Sequence, residues 1–261
     1  MTSEKTKGGT YSLRDHTCCP VVELRQYTLH PGMRDTLIDL FDREFIESQE
    51  ALGMNVMGQF RDLDDANRFV WFRGFPDMFS RAQALKSFYT GPVWKAHREA
   101  ANSTMVDSDN VLLLRPAHPK SGFLLGKRPP PGAANEIPKS IVVGTICYFD
   151  ALVGDRFVKW FENVVMPHLS HHGVSLLAYF VTESSTNNYP ALPVREGENV
   201  FLWFSLFRDQ KTYEDRMTAL ARSPQWREVS QELSRRLKRE PEVLKLSPTS
   251  RSQIGTRIRT I

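Results

Sequence analysis

The sequence predicts an α+β fold in which two copies of one β-α-β-β-α-β unit, the ferredoxin-like arrangement, close into a single barrel. One observation is a repeat: the motif FVWFRGFPD at residues 69–77 returns as FLWFSLFRD at 201–209, and PVWK at 92–95 returns as PQWR at 224–227. The other is that both halves show the same order of strand-like and helix-like periodicity. Together they indicate two fused repeats of one α+β unit.

The first repeat shows these periodicities in chain order. Its predicted strands are 21–29, 54–60, 68–75 and 110–116. A first helix is predicted after the turn at 30–32 and ends near Gly53, and a second helical region, in two parts, runs from about 77 to 104. Apolar residues from Leu37 to Phe45 recur at helical spacing, and Gly53 suits the left-handed cap that ends a helix. Pro92 breaks the second helical region, because proline cannot continue a helix interior.

The second repeat contains an insertion. Its predicted strands lie near 140–149, 174–183, 199–207 and 242–247, and its helices lie near 154–172 and 209–239. The offset between matching residues grows from 120, which pairs Gly53 with Gly173, to 132, which pairs Trp71 with Trp203. The extra residues fall within SSTNNYPALPVREGE, residues 184–198, which has loop composition.

These patterns divide the chain into five segments. They are an N-terminal tail (1–19), the first repeat (20–117), a linker rich in proline and glycine (118–138), the second repeat (139–249) and a polar C-terminal tail (250–261). In strand 68–75, Phe69 and Trp71 share one face, whereas Val70 and Phe72 share the other. Both faces are apolar, so one must pack on helices and the other on a second sheet. Two fused repeats supply that sheet, which predicts a pseudo-dimeric α+β barrel.

Composition excludes several classes of protein. The net charge is only +4, and the basic residues are scattered among 30 acidic ones, which argues against a nucleic-acid partner. No apolar run is long enough for a membrane span, and the polar beginning of the chain lacks a secretory signal. Cys18, Cys19 and Cys147 cannot make a disulfide framework. We therefore expect reduced thiols and a cytoplasmic location.

Strand alternation predicts a ligand pocket in the barrel lumen. If Val22 and Leu24 pack on the helices, Glu23, Arg25 and Tyr27 point inward. The same reasoning places Val56 and Phe60 on the helix side. The predicted lumen wall of the first repeat is Glu23, Arg25, Tyr27, Asn55, Met57, Gln59, Phe69, Trp71 and Arg73. The predicted wall of the second repeat is Thr145, Cys147, Ser175, Tyr179, Trp203 and Ser205. Such a wall, aromatic with a few polar groups, is typical of a small-molecule site.

The charged residues of this wall allow two interpretations. Glu23, Arg25 and Arg73 could form a buried ion-pair network that only fixes the assembly of the sheets. Alternatively, the arginine pair could bind a carboxylate or another anion, while Tyr27 donates a hydrogen bond or a proton to a bound oxygen. The sequence leaves both interpretations open.

Histidines provide further candidates. His97 follows Trp94 by three residues, so both lie on one face of the predicted helix, where either a surface position or a catalytic role is compatible with the pattern. His168 and His172 could bind a metal at i, i+4 spacing, but no acidic residue accompanies them as in H-E-x-x-H. Because positive charge is favourable at a helix C-terminus, we expect a capping role there and no metal site.

Three segments of the first repeat resemble NIPSNAP domains: VELRQYTLHPG at 22–32, WKAHR at 94–98 and DSDNVLLLRP at 107–116. The resemblance covers residues 21–117 and implies a dimeric α+β barrel, here fused in tandem. The second repeat follows the pattern only at hydrophobic and aromatic positions. Val143, Thr145 and Cys147 replace Glu23, Arg25 and Tyr27 there, and Val229 replaces His97. Most of any site is thus expected in the first repeat.

The resemblance is compatible with several different activities. The wider superfamily includes cofactor-independent and haem-degrading monooxygenases, haem peroxidases, isomerases and dehydratases, so the fold does not fix function. We expect a small hydrophobic or aromatic ligand, handled without a cofactor by an enzyme of the monooxygenase, isomerase or lyase type. Glu23, Arg25, Tyr27 and His97 would be its catalytic residues.

The alternatives are a non-catalytic binding or scaffold protein and a haem-binding protein. In the latter, His97 stands where haem-degrading relatives place their iron ligand. The expected partners are a small molecule and, in addition, a second copy of the pseudo-dimer.

Overall fold

The structure, a computed structural model, describes residues 18–131 and 138–255. Within these ranges the chain forms eight strands and six helices, in the predicted order of two β-α-β-β-α-β units. The strands are β1 (Val21–Leu29), β2 (Asn55–Asp62), β3 (Arg68–Phe75), β4 (Met105–Pro116), β5 (Ile141–Phe149), β6 (Ser175–Thr182), β7 (Asn199–Phe207) and β8 (Arg239–Pro248). The helices are α1 (Arg34–Leu40, a π-helical turn at Phe41–Phe45, and Ile46–Glu50), α2 (Met78–Thr90), α3 (Pro92–Asn102), α4 (Asp155–Trp160, a π-helical turn at Phe161–Val165, and Met166–His171), α5 (Gln210–Arg222) and α6 (Pro224–Ser234).

All eight strands form one closed antiparallel barrel in the order β1-β3-β2-β8-β5-β7-β6-β4. The four strands of each repeat are neighbours, and the repeats join where β2 pairs with β8 and β4 pairs with β6. Closure leaves no free sheet edge in the barrel. The prediction of one barrel built from two fused repeats is therefore confirmed. None of the helices in the described ranges combines the length and apolar character of a bilayer span.

The helices begin and end at matched positions in the two repeats. Asp77 and Asp209 cap α2 and α5 by accepting hydrogen bonds from backbone N–H groups three residues further on, at 2.6 and 2.7 Å. Gly53 and Gly173 follow α1 and α4 with φ of +85° and +73°, a conformation that glycine adopts most easily. The same local signals thus produce the same fold twice.

Apolar side chains of both repeats fill the barrel lumen. Phe72 and Phe204 pack edge to face with ring centres 5.1 Å apart, and both are buried. Phe123 of the linker lies between the sheets, 5.4 Å from Phe72 and 5.3 Å from Phe204. The lumen is therefore a hydrophobic core, and the prediction of a ligand pocket inside it is wrong.

The predicted assignment of strand faces is inverted for most of the wall. Val22 and Leu24 pack in the lumen with residues of the second repeat. Glu23, Arg25 and Tyr27 instead lie between the sheet and the helices, where Glu23 pairs with Arg81 of α2. The strands do alternate as predicted, but both faces of the sheet are apolar, so the pattern alone does not decide which face meets the helices. The long charged side chains lie where the helices supply polar partners.

A β-bulge adds a second correction on β2. The register shifts between Val56 and Gly58, so Met57 and Phe60 both belong to the lumen, while Gln59 lies opposite Trp71 on the helix side. Strict alternation would place Phe60 with Val56, as predicted from the sequence. A bulge inserts one residue and reverses the alternation beyond it.

The linker and the C-terminal segment are also more integrated than predicted. Besides Phe123, the linker contributes Arg128, which donates hydrogen bonds to the backbone carbonyls of Arg251 and Val56. Arg251 and Ile254 are buried, with Ile254 in the lumen core, so the described part of the predicted tail, 250–255, packs against the barrel. The expectation of reduced thiols at Cys18 and Cys19 is also wrong, because the structure joins their sulfur atoms. The N-terminal tail lies outside the described residues up to position 17.

Candidate functional site

Each repeat has an interlayer space between its half of the barrel and its helices. In the first repeat this space contains a charged group of four residues, which we call the arginine cluster: Glu23, Arg25, Arg73 and Arg81. Glu23 and Arg73 face each other in the register of β1 and β3, and Arg81 reaches them from α2. All four side chains are at most 1% exposed. The fold thus buries three positive charges around a single carboxylate.

The carboxylate of Glu23 binds all three guanidinium groups. Its Oε2 accepts from Arg25 Nη1 at 2.9 Å and from Arg73 Nε at 2.7 Å, while Oε1 accepts from Arg81 Nε at 2.7 Å. Burial alone would raise the pKa of Glu23, but the three arginines outweigh it and hold that pKa far below its ordinary range. Burial also lowers the pKa of Arg81, and the attraction of Glu23 opposes this. The cluster is therefore strongly coupled, with one negative charge among three positive groups.

Aromatic side chains enclose the cluster. Arg25 Nε donates to the hydroxyl of Tyr27 at 3.0 Å, and the guanidinium of Arg73 lies over the ring of Trp71, 5.1 Å from its centre. Burial raises the pKa of Tyr27, with Arg25 offsetting only part of this, so the phenol is neutral at physiological pH. Beside these groups lies a cavity of about 30 Å³ that includes Gln49 and Tyr89 in its lining. That volume is about the share of one water molecule in the liquid, so the first interlayer space is closed.

The interlayer space of the second repeat contains a much larger cavity, which we call the second cleft. It has a volume of about 390 Å³ and lies between strands β5, β7 and β8 and helices α5 and α6. Its lining is mainly apolar and aromatic. The lining includes Val143, Thr145, Trp203, Ser205, Phe207, Met217, Trp226, Ser230 and Glu240. Val243, at its edge, is 46% exposed, which marks an opening to solvent.

The difference in volume follows from substitutions at matched positions. Glu23 and Arg25 correspond to Val143 and Thr145 by the offset of 120, and Arg73 corresponds to Ser205 by the offset of 132. The three smaller residues line the second cleft. Both repeats keep the Trp of the motif, Trp71 in the first and Trp203 in the second. The shorter side chains of the second repeat therefore leave open the space that charged side chains occupy in the first.

The structure places the remaining predicted residues apart from each other. Gln59 and Phe69 are buried on the helix side of the first repeat, and Asn55 is half-buried at the beginning of β2, opposite Gly74. Tyr179 lies on the helix side of the second repeat and donates to Glu162 of α4 at 2.7 Å. Of the predicted pocket wall, Thr145, Trp203 and Ser205 line the second cleft.

His97 is not brought to the cluster. It is 32% exposed, its Nε2 lies 3.4 Å from Glu44 Oε2, and its ring packs on Phe45. It contributes nothing to the lining of the small cavity, and Val229 takes its position in the second repeat. His97 therefore does not face a cavity with room for a haem, because the neighbouring cavity of the first space holds about one water molecule.

The histidines near the end of α4 behave as the capping interpretation predicts. His168 Nδ1 lies 2.7 Å from the backbone oxygen of Val164, and His172 Nδ1 lies 2.9 Å from that of His168. Within the described residues, no group of three histidine, cysteine or acidic side chains is arranged to hold a metal ion.

Sequence reasoning missed Arg81, and a signal for it was present. Arg81, Leu85 and Phe88 recur at i, i+4 and i+7, so an arginine occupies the apolar stripe of α2. A charged residue on a buried helix face requires a partner on the sheet, and Glu23 is that partner.

Comparison with known proteins supports the assignment of the first repeat. A family model described as NIPSNAP matches residues 22–119, which include the whole arginine cluster. No curated protein matches the chain at a significant level.

Several solved structures are similar in fold. A candidate monooxygenase from Fusobacterium nucleatum subsp. nucleatum is 9% identical with a TM-score of 0.54, and the match covers 93% of this chain and 98% of the other. A candidate monooxygenase from Lactobacillus acidophilus is 13% identical with a TM-score of 0.52, covering 92% and 100%. An uncharacterised NIPSNAP-like domain protein from Burkholderia xenovorans is 25% identical with a TM-score of 0.33, covering 36% and 81%. The first two likenesses extend over both repeats and concern the fold alone.

Proposed function

Residues 22–119 of this chain match the NIPSNAP family model, and from that premise we propose that the tandem protein binds a small, uncharged aromatic molecule in the second cleft. The volume of the cleft is the observation that supports this most strongly. About 390 Å³ falls within the range of about 300–1,000 Å³ that small-molecule pockets occupy. The lumen is packed, and the first interlayer space has little free volume. A larger cavity of about 580 Å³ lies between the end of α4 and helices α5 and α6, but its lining includes His168, Arg222 and Gln225 and no aromatic wall, so the second cleft suits such a ligand better.

The lining favours an aromatic ligand. Trp203 and Trp226 approach from the sheet and from α6, and Phe207 and Met217 complete an apolar wall. Aromatic rings pack well against other rings and against the polarisable sulfur of methionine. A flat, apolar molecule would therefore bury most of its surface between β7 and α6.

The polar groups of the cleft favour a ligand without net charge. Thr145, Ser205 and Ser230 supply hydroxyl groups, which both donate and accept hydrogen bonds. Among the described lining residues there is no lysine or arginine, and Glu240 is exposed. A charged ligand bound in the cleft would lose its hydration without gaining an oppositely charged partner. This desolvation costs roughly several kcal/mol per ion.

The same lining favours binding over acid–base catalysis. Glu240 is the one ionisable side chain in the described lining, so the cleft lacks the pair of proton donor and acceptor that such catalysis uses. Glu23, Arg25 and Tyr27, the predicted catalytic residues, lie in the other repeat. We therefore propose a binding protein that requires no cofactor.

Calorimetric titration of the full chain with 1-naphthol tests the proposal. Replacing Ser205 by Phe fills the cleft from the strand and should weaken binding at least about tenfold, which corresponds to about 1.4 kcal/mol. Binding should also quench the fluorescence of Trp226, so the quenching should decrease in Trp226→Phe. Trp94 is the matched residue of the first repeat, and Trp94→Phe should leave affinity and quenching unchanged.

Thermal unfolding of each variant serves as the control for folding. Equal affinities of wild type and a folded Ser205→Phe protein would contradict the proposal. Absence of heat and quenching with 1-naphthol and with other neutral bicyclic aromatics would instead favour a scaffold role.

A further inference from the structure

The arginine cluster contains three positive side chains and only one negative side chain. Arg25, Arg73 and Arg81 are fully buried, and the single carboxylate among them is that of Glu23. Buried ions are tolerated when they are paired, whereas burial of an unpaired ion costs roughly several kcal/mol of folding free energy. The described surroundings of the cluster supply neutral partners: Arg73 Nη1 donates to Gln49, and Arg81 Nη1 donates to amide oxygens of the loop at 184–198.

Donors in this space remain unused. Among the described residues, Arg73 Nη2, Arg81 Nη2 and the indole Nε1 of Trp71 are buried without a hydrogen-bond acceptor. Nearly all buried donors in folded proteins have an acceptor, so three unused donors around one ion cluster require an explanation. An additional anion would accept from these donors and would also reduce the excess of positive charge.

The insertion of the second repeat covers this cluster. The loop at 184–198 connects β6 and β7, and because β6 pairs with β4, the loop extends over the first repeat. Asn187 Oδ1 and Asn188 Oδ1 accept from Arg81 at 3.0 and 2.8 Å, and Tyr189 stacks on Tyr89. Exchange of any ligand would require this loop to move. The first repeat has only a short connection between β2 and β3, so its β2–β3 connection does not cover the second cleft in the same way.

We propose that Arg73, Arg81 and Trp71 form a binding site for a small carboxylate anion, which the loop at 184–198 encloses. The unused Nη2 groups of Arg73 and Arg81 can each donate to one oxygen of a carboxylate, and such charge-assisted hydrogen bonds are stronger than neutral ones. The neighbouring cavity of about 30 Å³, which Trp71 lines, holds about one water molecule while the loop is in place, so a carboxylate enters only when the loop moves. This site is separate from the second cleft and does not depend on the function proposed there.

Thermal unfolding of the full chain in sodium acetate and sodium benzoate, each against sodium chloride at equal ionic strength, tests this inference. Saturating 1-naphthol is present throughout, so that the second cleft is occupied. We expect a carboxylate at several times its dissociation constant to raise Tm by about 3 °C more than chloride does. Arg81→Lys keeps the charge but removes the unused Nη2 donor, so the difference from chloride should disappear.

Two further variants complete the test. Arg208 is 80% exposed on the surface of the second repeat, and Arg208→Lys should retain the full shift. If Arg81→Lys does not fold, Trp71→Phe removes an unused donor while keeping a ring, and the shift should decrease. Equal stabilisation by chloride and both carboxylates would overturn the inference. Stabilisation by inorganic phosphate and by neither carboxylate would overturn the assignment of the anion.

Discussion

The two repeats share one scaffold and use the same interlayer space in opposite ways. In the first, long charged side chains occupy it, and a cavity of about 30 Å³ remains. In the second, Val143, Thr145 and Ser205 replace three of them, and the cavity grows to about 390 Å³. Strand order and the aspartate caps of α2 and α5 are the same in both, and both repeats contribute to the lumen core. The difference in cavity volume thus accompanies the exchange of a few long side chains on β1 and β3 for short ones on β5 and β7.

The lumen should respond alike to substitutions from either repeat. Phe72 and Phe204 are fully buried and occupy equivalent positions. Phe72→Ala and Phe204→Ala should each lower the free energy of unfolding by about 4 kcal/mol, because each leaves a cavity in the same core. Denaturant unfolding monitored by circular dichroism measures both. Costs that differ by more than about 2 kcal/mol would show that the two halves of the lumen are not equivalent.

The interlayer spaces should respond differently. Glu23→Gln keeps the shape of the side chain but leaves three buried arginines without a counter-charge, and should cost about 3 kcal/mol. Val143→Ala, at the matched position, removes two methyl groups beside an open cleft and should cost about 1–2 kcal/mol. The measurement is denaturant unfolding at neutral pH. A Glu23→Gln cost no larger than that of Val143→Ala would mean that the cluster contributes nothing specific to the first repeat.

A smaller effect concerns pH and the first helix of each repeat. Asp42 Oδ1 is buried with no hydrogen-bond partner among the described residues, and burial raises the pKa of this carboxyl to about 6. Its counterpart Glu162 accepts from Tyr179. The folded-state pKa of Asp42 exceeds the unfolded value of about 4, so the ionised carboxylate destabilises the fold above pH 6. This destabilisation disappears as pH falls from about 6 to 4, because the carboxyl becomes protonated.

Asp42→Asn should therefore remove a gain in stability of about 1 kcal/mol between pH 7 and pH 4. Denaturant unfolding at several pH values measures this, with Glu162→Gln as the matched variant. An unchanged pH profile in Asp42→Asn would place the titrating group elsewhere.

The fold could be predicted because its signals are local and occur twice. Asp77 and Asp209 cap equivalent helices, and Trp71 and Trp203 stand in equivalent strands. The sequence could not predict which sheet face meets the helices, since Leu24 on one face and Trp71 on the other are equally suited to burial. It also gave no sign of the bulge at Gly58, which depends on backbone geometry.

The site was predicted in part. Glu23, Arg25, Tyr27 and Arg73 do lie together, because strand register alone brings them close. Arg81 completes the cluster from a helix more than fifty residues away in the chain, and single-sequence patterns do not show which helix covers which strand. Sequence periodicity also does not reveal the second cleft, because the cleft exists where side chains are small and leave space open.

Phe123 has a consequence for how the chain is made. It follows β4 directly in the sequence, yet it packs at the centre of the lumen against Phe72. During synthesis the first four strands leave the ribosome with an apolar face and no second sheet to cover it, a state prone to aggregation. Phe123 emerges before β5 to β8 and is available to shield that face in the meantime. A residue in the linker can thus act as a temporary cover for half a barrel and later as part of its finished core.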